Sequence, residues 1–292
     1  MFADACRAAL KYTRPVAVSV RQYDGSVRTD YASFIVLNRE GWAITAGHVF
    51  DSFVKFTEDK KKMAEINEIN ANRVQKPGSP ISEIRIDKTM LTNHSFWWGW
   101  DGVAMNDILV NRQADIAIGR LENFNPAWVE EYPVFAEPSK ISIGESICRL
   151  GYPFIEVIPK FHEESNAFEI PKVTESAAYA TDGMISLIGN RGRSKDNTCD
   201  ILNIETASPG LRGQSGGPML DCEGHLCGMQ VMTVHRALGF HPMAELDGQK
   251  YLENQFLNAG VGLHISTIMQ LLDSRNVRYQ KCWENPEFRI VD

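Results

Sequence analysis

The sequence predicts an all-β protein, two packed antiparallel β-barrels or a sandwich, and three observations lead there. Short runs of apolar and β-branched residues recur along the chain, among them Val16–Val20, Ser33–Leu37, Trp42–Thr45, Ile116–Ile118, Ser146–Leu150, Gly183–Ile188 and Gly228–Met232. Gly, Asn and Asp separate these closely spaced runs, which favours antiparallel strands over βαβ units. Helical periodicity, the third observation, is confined to three places. Residues 4–12 suit a helical turn or two, and residues 59–72 (DKKKMAEINEINAN) place Met63, Ile66 and Ile69 at i, i+3, i+6. Near the end, Ser266 is a candidate cap for a helix whose apolar face is Ile268, Met269, Leu271 and Leu272, running to Asn276. No repeat of solenoid length and no low-complexity linker divides the chain. Pro126, Pro133 and Pro138 cluster between 126 and 140, where a break between two β subdomains is expected.

Composition narrows the function. The chain has 292 residues, 43% hydrophobic and 23% charged, which is ordinary for a globular protein with a core. A net charge of −7 leaves no basic excess to neutralise phosphates, which argues against a nucleic-acid binder. The run Lys60-Lys61-Lys62 sits beside Glu58, Asp59 and Glu65 and reads as a solvated face. Asp4 and Arg7 interrupt the N-terminal apolar residues, so no signal peptide is expected, and no apolar run is long enough to suggest a membrane partner. Six scattered cysteines (Cys6, Cys148, Cys199, Cys222, Cys227, Cys282) read as free thiols of a cytoplasmic protein. Cys222 and Cys227 bracket the turn Glu223-Gly224, but no second Cys or His pair stands at metal-ligand spacing; neither a metal nor a cofactor is expected.

The stretch Gly210-Leu211-Arg212-Gly213-Gln214-Ser215-Gly216-Gly217-Pro218 surrounds one serine with glycines. A serine hydroxyl is a weak nucleophile near neutral pH and needs a general base, which in turn needs an orienting partner. His48 stands where the strand Trp42–Thr45 ends in small residues. Asp115 opens the apolar run Ile116–Ile118, where a carboxylate needs a hydrogen-bond partner such as a histidine N–H. Each feature alone has a plain structural explanation: a turn serine, a surface histidine, a capping aspartate. Together they occur in the chain order His, Asp, Ser.

In that order, and in their local contexts, these residues resemble the trypsin-like serine peptidase superfamily, most closely its bacterial HtrA-like branch without a PDZ domain. Thr45-Ala46-Gly47-His48 resembles the T-A-x-H box, Ala114-Asp115-Ile116-Ala117 the D-I-A box and Gly213-Gln214-Ser215-Gly216-Gly217-Pro218 the G-x-S-G-G-P box. Thr181–Ser186, Gly151-Tyr152-Pro153-Phe154 and Gly262–Ile265 resemble further segments of that branch, so the resemblance runs over about residues 15–280. It implies two six-stranded antiparallel β-barrels with a C-terminal helix. A single peptidase domain is then expected over 1–292: an N-terminal barrel over 1–130 with a partly helical insertion at about 52–112, a C-terminal barrel and helix over 131–280, and a tail over 281–292. It implies Ser215 as nucleophile, His48 as base and acid, Asp115 as orienter, and the Gly213 and Ser215 amides as oxyanion hole. Protein or peptide substrates are expected, with a partner protein or homo-oligomer as a further possibility.

Three departures shape the expectation. Gln214 is neutral where the secreted digestive branch carries the Asp that pairs with a new N-terminus on zymogen cleavage. Val49 replaces the cysteine that follows the histidine in that branch, and no PDZ-sized segment follows residue 280. For substrate selection, Pro209 lies six residues before Ser215, where trypsin itself carries an acidic residue, so a strict basic preference is not expected. Leu211, Val231 and Thr233 suggest a small or apolar pocket, and His235 is a candidate contact for an acidic or amide side chain. Phe96-Trp97-Trp98-Gly99-Trp100 suggests either a partner surface or packing of the insertion onto the first barrel. Three alternatives stay open: a catalytically silent protein of the same fold that binds through its cleft, an esterase on the same constellation, and an α/β-hydrolase. Gly213-Gln214-Ser215-Gly216-Gly217 also satisfies the G-x-S-x-G pattern of the last, but the order His, Asp, Ser and the lack of βαβ units oppose it.

Overall fold

Eight consecutive buried residues open the first strand, β1 (Thr13–Gln22), because one face looks into a barrel and the other is covered by neighbouring elements. The computed structural model describes residues 2–72, 83–155, 157–170, 177–240, 243–252 and 255–284. A short helix, α1 (Ala3–Tyr12), buries Ala5, Ala9 and Tyr12 and feeds directly into β1. Then come β2 (Val27–Val36), β3 (Trp42–Ala46), helix α2 (Asp51–Ala71), β4 (Leu91–Trp98), β5 (Ala104–Asn111) and β6 (Ile116–Glu122). These strands form one antiparallel sheet in the order β4-β1-β2-β3-β6-β5, whose edge strands β4 and β5 come back into contact.

The second half begins with β7 (Val134–Phe135) and β8 (Ser146–Gly151), followed by a hairpin, β9 (Lys160–His162) with β10 (Ala167–Glu169). It continues through β11 (Tyr179–Arg193), β12 (Asp200–Thr206), β13 (Pro218–Leu220) and β14 (Leu226–Ala237). A second hairpin, β15 (Met243–Leu246) with β16 (Gln249–Leu252), precedes β17 (Phe256–His264), helix α3 (Ile265–Asp273) and β18 (Gln280–Lys281). Strand β13 pairs with both β8 and β14, so β8-β11-β12-β17-β14-β13 closes into a ring of six strands, with β7 and β18 added outside β14. The molecule is therefore mostly β, two antiparallel six-stranded units with few helices. Closure gives each of the six ring strands a neighbour on both sides.

Several sequence expectations change in detail. Leu91–Trp98 and Ala104–Asn111, inside the expected insertion, are strands of the first sheet. Helix α2 starts at Asp51, eight residues ahead of the expected start, because the turn Gly47–Phe50 already has helical backbone and runs straight into it. Asp59 anchors that helix: buried, it accepts the Leu91 amide at 2.8 Å and pairs with Lys55. The cap of α3 is His264 and not Ser266. Burial pushes the His264 imidazole down to about 4, and the neutral ring accepts the Ser266 amide at 3.1 Å. The aromatic stretch packs inward. Trp98 is buried against Phe34 and Phe50, Phe96 lies against Phe50 and Phe53, and Trp100 stacks on Trp128. Residues 285–292 of the expected tail lie outside the described residues.

Candidate active site

The base half of the site grows from two neighbouring strands of the first barrel. Strand β3 pairs with β6 so that Ala46 faces Ile116, and the chain just beyond each strand carries His48 and Asp115. Asp115 adopts a left-handed backbone, φ 54°, which an aspartate tolerates better than most residues. That turn lays its main chain and carboxylate against the histidine. The Gly47 amide donates to the Asp115 carbonyl at 3.0 Å, the His48 amide to Asp115 Oδ1 at 2.8 Å, and His48 Nδ1 lies 2.9 Å from Oδ2. The carboxylate is thus held at both oxygens by one residue, which fixes the ring with Nδ1 as donor and Nε2 as the basic atom. The Asp115 hydrogen bond raises the His48 pKa above its ordinary 6.5, outweighing the burial that opposes it. The imidazole remains two-fifths exposed, so the face away from Asp115 is open to a reactant.

The nucleophile half is a loop of the second barrel fastened to the first. Ser33 of β2 makes two of the ties: its amide donates to the Ser215 carbonyl at 2.8 Å and its hydroxyl to the Gly213 carbonyl at 2.7 Å. The Tyr152 amide also donates to the Gly213 carbonyl, at 3.2 Å. Gly216, at φ 84°, lies so close that a Cβ there would drive into the Ser33 carbonyl oxygen, and Thr45 and the Ala46 amide lie just beyond. Only glycine admits this approach. It brings the Ser215 turn against the residues that lead into His48. Gly213, at φ 98°, likewise has no room for a Cβ beneath Tyr152. Among the described residues neither the Gly213 nor the Ser215 amide has a hydrogen-bond acceptor, so both remain available to an incoming oxyanion.

Gln214 fills the place where the charged pair of the digestive branch was not expected. It is wholly buried; its Oε1 accepts the Leu211 amide at 2.9 Å and its Nε2 donates to Thr181 Oγ1 at 3.2 Å. A neutral amide, satisfied on both sides, braces the turn from within. The Ser215 hydroxyl donates to the Val231 carbonyl at 3.3 Å instead of to His48.

Residues 32–229 match the family described as the trypsin-like peptidase domain. The chain belongs to that family. The chain found no match among curated proteins. Its fold is similar to that of the HtrA-type protease AlgW with tripeptide, at 13% identity and a TM-score of 0.47, over 94% of this chain and 63% of that one. The chain thus spans less than two thirds of that structure.

The residues expected to line a substrate pocket lie around the approach to the Ser215 turn. Val231 is buried and meets Ser215 through its carbonyl, Thr233 Oγ1 donates to the Gly210 carbonyl at 2.6 Å, and Leu211 is half-buried. Pro209 is exposed, and its carbonyl accepts from Arg149 Nη1 at 3.2 Å. His235 reaches only the Asn258 side chain across the β14–β17 ladder, at 2.5 Å. Four residues were missed: Ser33, Thr181, Arg149 and Gln230. For Arg149 there was a signal, a cation in the middle of the apolar strand Ser146–Leu150. Ser33 and Thr181 act through contacts far apart in sequence, and Gln230 packs on Gly210 of another segment.

Proposed function

We propose that Ser215, His48 and Asp115 form the triad of an endopeptidase that cleaves peptide bonds through an acyl-enzyme. The observation that supports this most is the grip of Asp115 on His48, both carboxylate oxygens bonded to one histidine, beside a glycine-lined serine turn. In the cycle, the Ser215 hydroxyl turns from the Val231 carbonyl toward His48 Nε2, which takes its proton as Oγ bonds to the scissile carbonyl carbon. The carbonyl oxygen becomes an oxyanion facing the Gly213 and Ser215 amides, and His48 passes the proton to the departing amine as the C–N bond breaks. Water then repeats the sequence on the ester, releasing the new carboxylate and restoring the Ser215 proton.

The Ser215–Val231 bond favours a second reading, in which the site rests in an off state until substrate or a partner draws the hydroxyl to His48. Catalytic hydrogen bonds are often loose before substrate arrives, so this bond does not oppose activity. An apolar P1 preference is not carried into the proposal, because a cation lies beneath the same pocket. Cytoplasmic residence is part of the proposal and draws support from the free thiols of the described residues. The test is hydrolysis of an unfolded protein such as casein: cleavage by the native chain that vanishes in Ser215→Ala supports the peptidase. Equal cleavage by both assigns it to another group, and no cleavage until a partner is added selects the second reading.

A further inference from the structure

Buried cations in proteins are ordinarily paired, because an isolated charge in the interior forfeits its hydration. Arg149, on β8, breaks this rule beneath the segment Ser208–Leu211 that leads into the Ser215 turn. Its side chain is wholly buried, yet among the described residues no carboxylate pairs with it and its Nε has no hydrogen-bond partner. The guanidinium is held only by neutral groups of the pocket floor: Nη1 donates to Ser208 Oγ at 3.1 Å and to the Pro209 carbonyl at 3.2 Å, Nη2 to the Ser208 carbonyl at 3.0 Å. The exposed Asp182 acts on it through space alone. Burial lowers the Arg149 pKa only to about 10, so the group keeps its charge at neutral pH.

The position of this charge relative to Ser215 is what makes it functional. The segment Ser208–Leu211 leads into the nucleophile turn, and Thr233 and Gly260 face it from β14 and β17. A Cβ on Gly260 would lie 2.8 Å from Arg149 Nη2 and 2.9 Å from the Gly210 amide, so only glycine lets β17 pack directly against the guanidinium and the Ser208–Leu211 segment. Gln230 packs its amide on Gly210; its Nε2 donates to the Met232 carbonyl at 2.7 Å and its buried Oε1 has no partner.

We infer that the pocket selects an acidic residue, Glu or Asp, at P1, with Arg149 as the specificity-determining residue. This rests on the peptidase reading above and deepens it. The substrate carboxylate supplies the counter-charge that the fold withholds from Arg149, and a lysine or arginine at P1 meets a like charge. The orphan Gln230 Oε1 pulls the other way, toward a P1 amide. A full charge in a low-dielectric site outweighs that single carbonyl dipole.

The experiment uses peptidyl diphenylphosphonates, which bond to an active serine while presenting a P1 side chain. Four probes, identical but for P1 Glu, Gln, Val or Lys, are reacted with the full chain, and the Ser215 adduct is followed by mass spectrometry. The Glu probe is expected to react about 10- to 100-fold faster than the Gln and Val probes, with Lys slowest. In Arg149→Met that advantage falls to within about threefold, and Arg149→Lys restores part of it. Fastest reaction with Val or Lys overturns the inference; fastest reaction with Gln moves specificity to Gln230. If Arg149→Met does not fold, as judged by circular dichroism, the ranking in the native chain decides alone. A small fluorophosphonate without a P1 side chain is run in parallel. Its failure to label Ser215 counts against the peptidase reading itself, whereas its success with no preference for Glu counts against the acidic pocket only.

Discussion

The two barrels contribute to the site in different ways. The first supplies His48 and Asp115 from the ends of adjacent paired strands, joined by three bonds among Gly47, His48 and Asp115. Among the described residues, these bonds take no partner from the second barrel. The second supplies Ser215 from a loop whose shape depends on Ser33 and Tyr152, and on Gln214 reaching Thr181. Its hydroxyl points to Val231. The difference teaches that the proposed base is held within one barrel, whereas the turn carrying the proposed nucleophile and oxyanion hole is fastened across the two.

Substitutions can break either half. The largest effect is expected from Asp115→Asn, which leaves the ring held in the wrong tautomer: kcat should fall about 10⁴-fold, the scale this change carries in trypsin-like triads, with little change in KM. Gly213→Ala forces a side chain at φ 98° into Tyr152 and turns an oxyanion donor. A loss of about 10²–10³-fold in kcat is expected, with the His48 pH dependence unchanged. Gln214→Leu removes both braces of the turn. About 1–3 kcal/mol of stability should go in a denaturant titration, together with roughly tenfold in kcat. Ser33→Ala is the mildest, because the Tyr152 amide still holds the Gly213 carbonyl. Roughly 1 kcal/mol and a few-fold in kcat are expected. A loss as large for Ser33→Ala as for Asp115→Asn would erase the distinction between the two halves.

What could be read in the sequence follows the same division. His48, Asp115 and Ser215 stand out as candidates because their contexts are local: a strand end, a strand start, a run of glycines. The strands were legible for the same reason, since apolar β-branched runs between Gly and Asn report only on their own neighbourhood. Gln214 showed that an ion pair was missing but not what replaced it, because Thr181 lies 33 residues away. Ser33 and Gly213 are separated by 180 residues, and nothing in either stretch announces the other. Phe96–Trp100 shows the converse. Its composition suits a partner surface as well as a core, and only the neighbours Phe34, Phe50 and Trp128 decide for packing. Arg149 was visible as a cation in an apolar strand, but its lack of a carboxylate is a property of the folded pocket.

The pH dependence also separates the halves. Because Asp115 raises the His48 pKa, the native state favours the protonated ring. That contribution to stability is fully present below about pH 6.5 and is lost as pH rises through the folded pKa. Catalysis needs the opposite form, so reactivity should fall as pH drops through that same raised value.

The rate of Ser215 labelling by a small fluorophosphonate, measured from pH 5 to 9 in the native chain and in Asp115→Asn, tests the central claim most directly. A prebuilt base predicts one acid limb above pH 6.5 that moves to lower pH in Asp115→Asn as the plateau rate collapses. Labelling that ignores pH, that forms on a residue other than Ser215, or that Asp115→Asn leaves at full rate would contradict it.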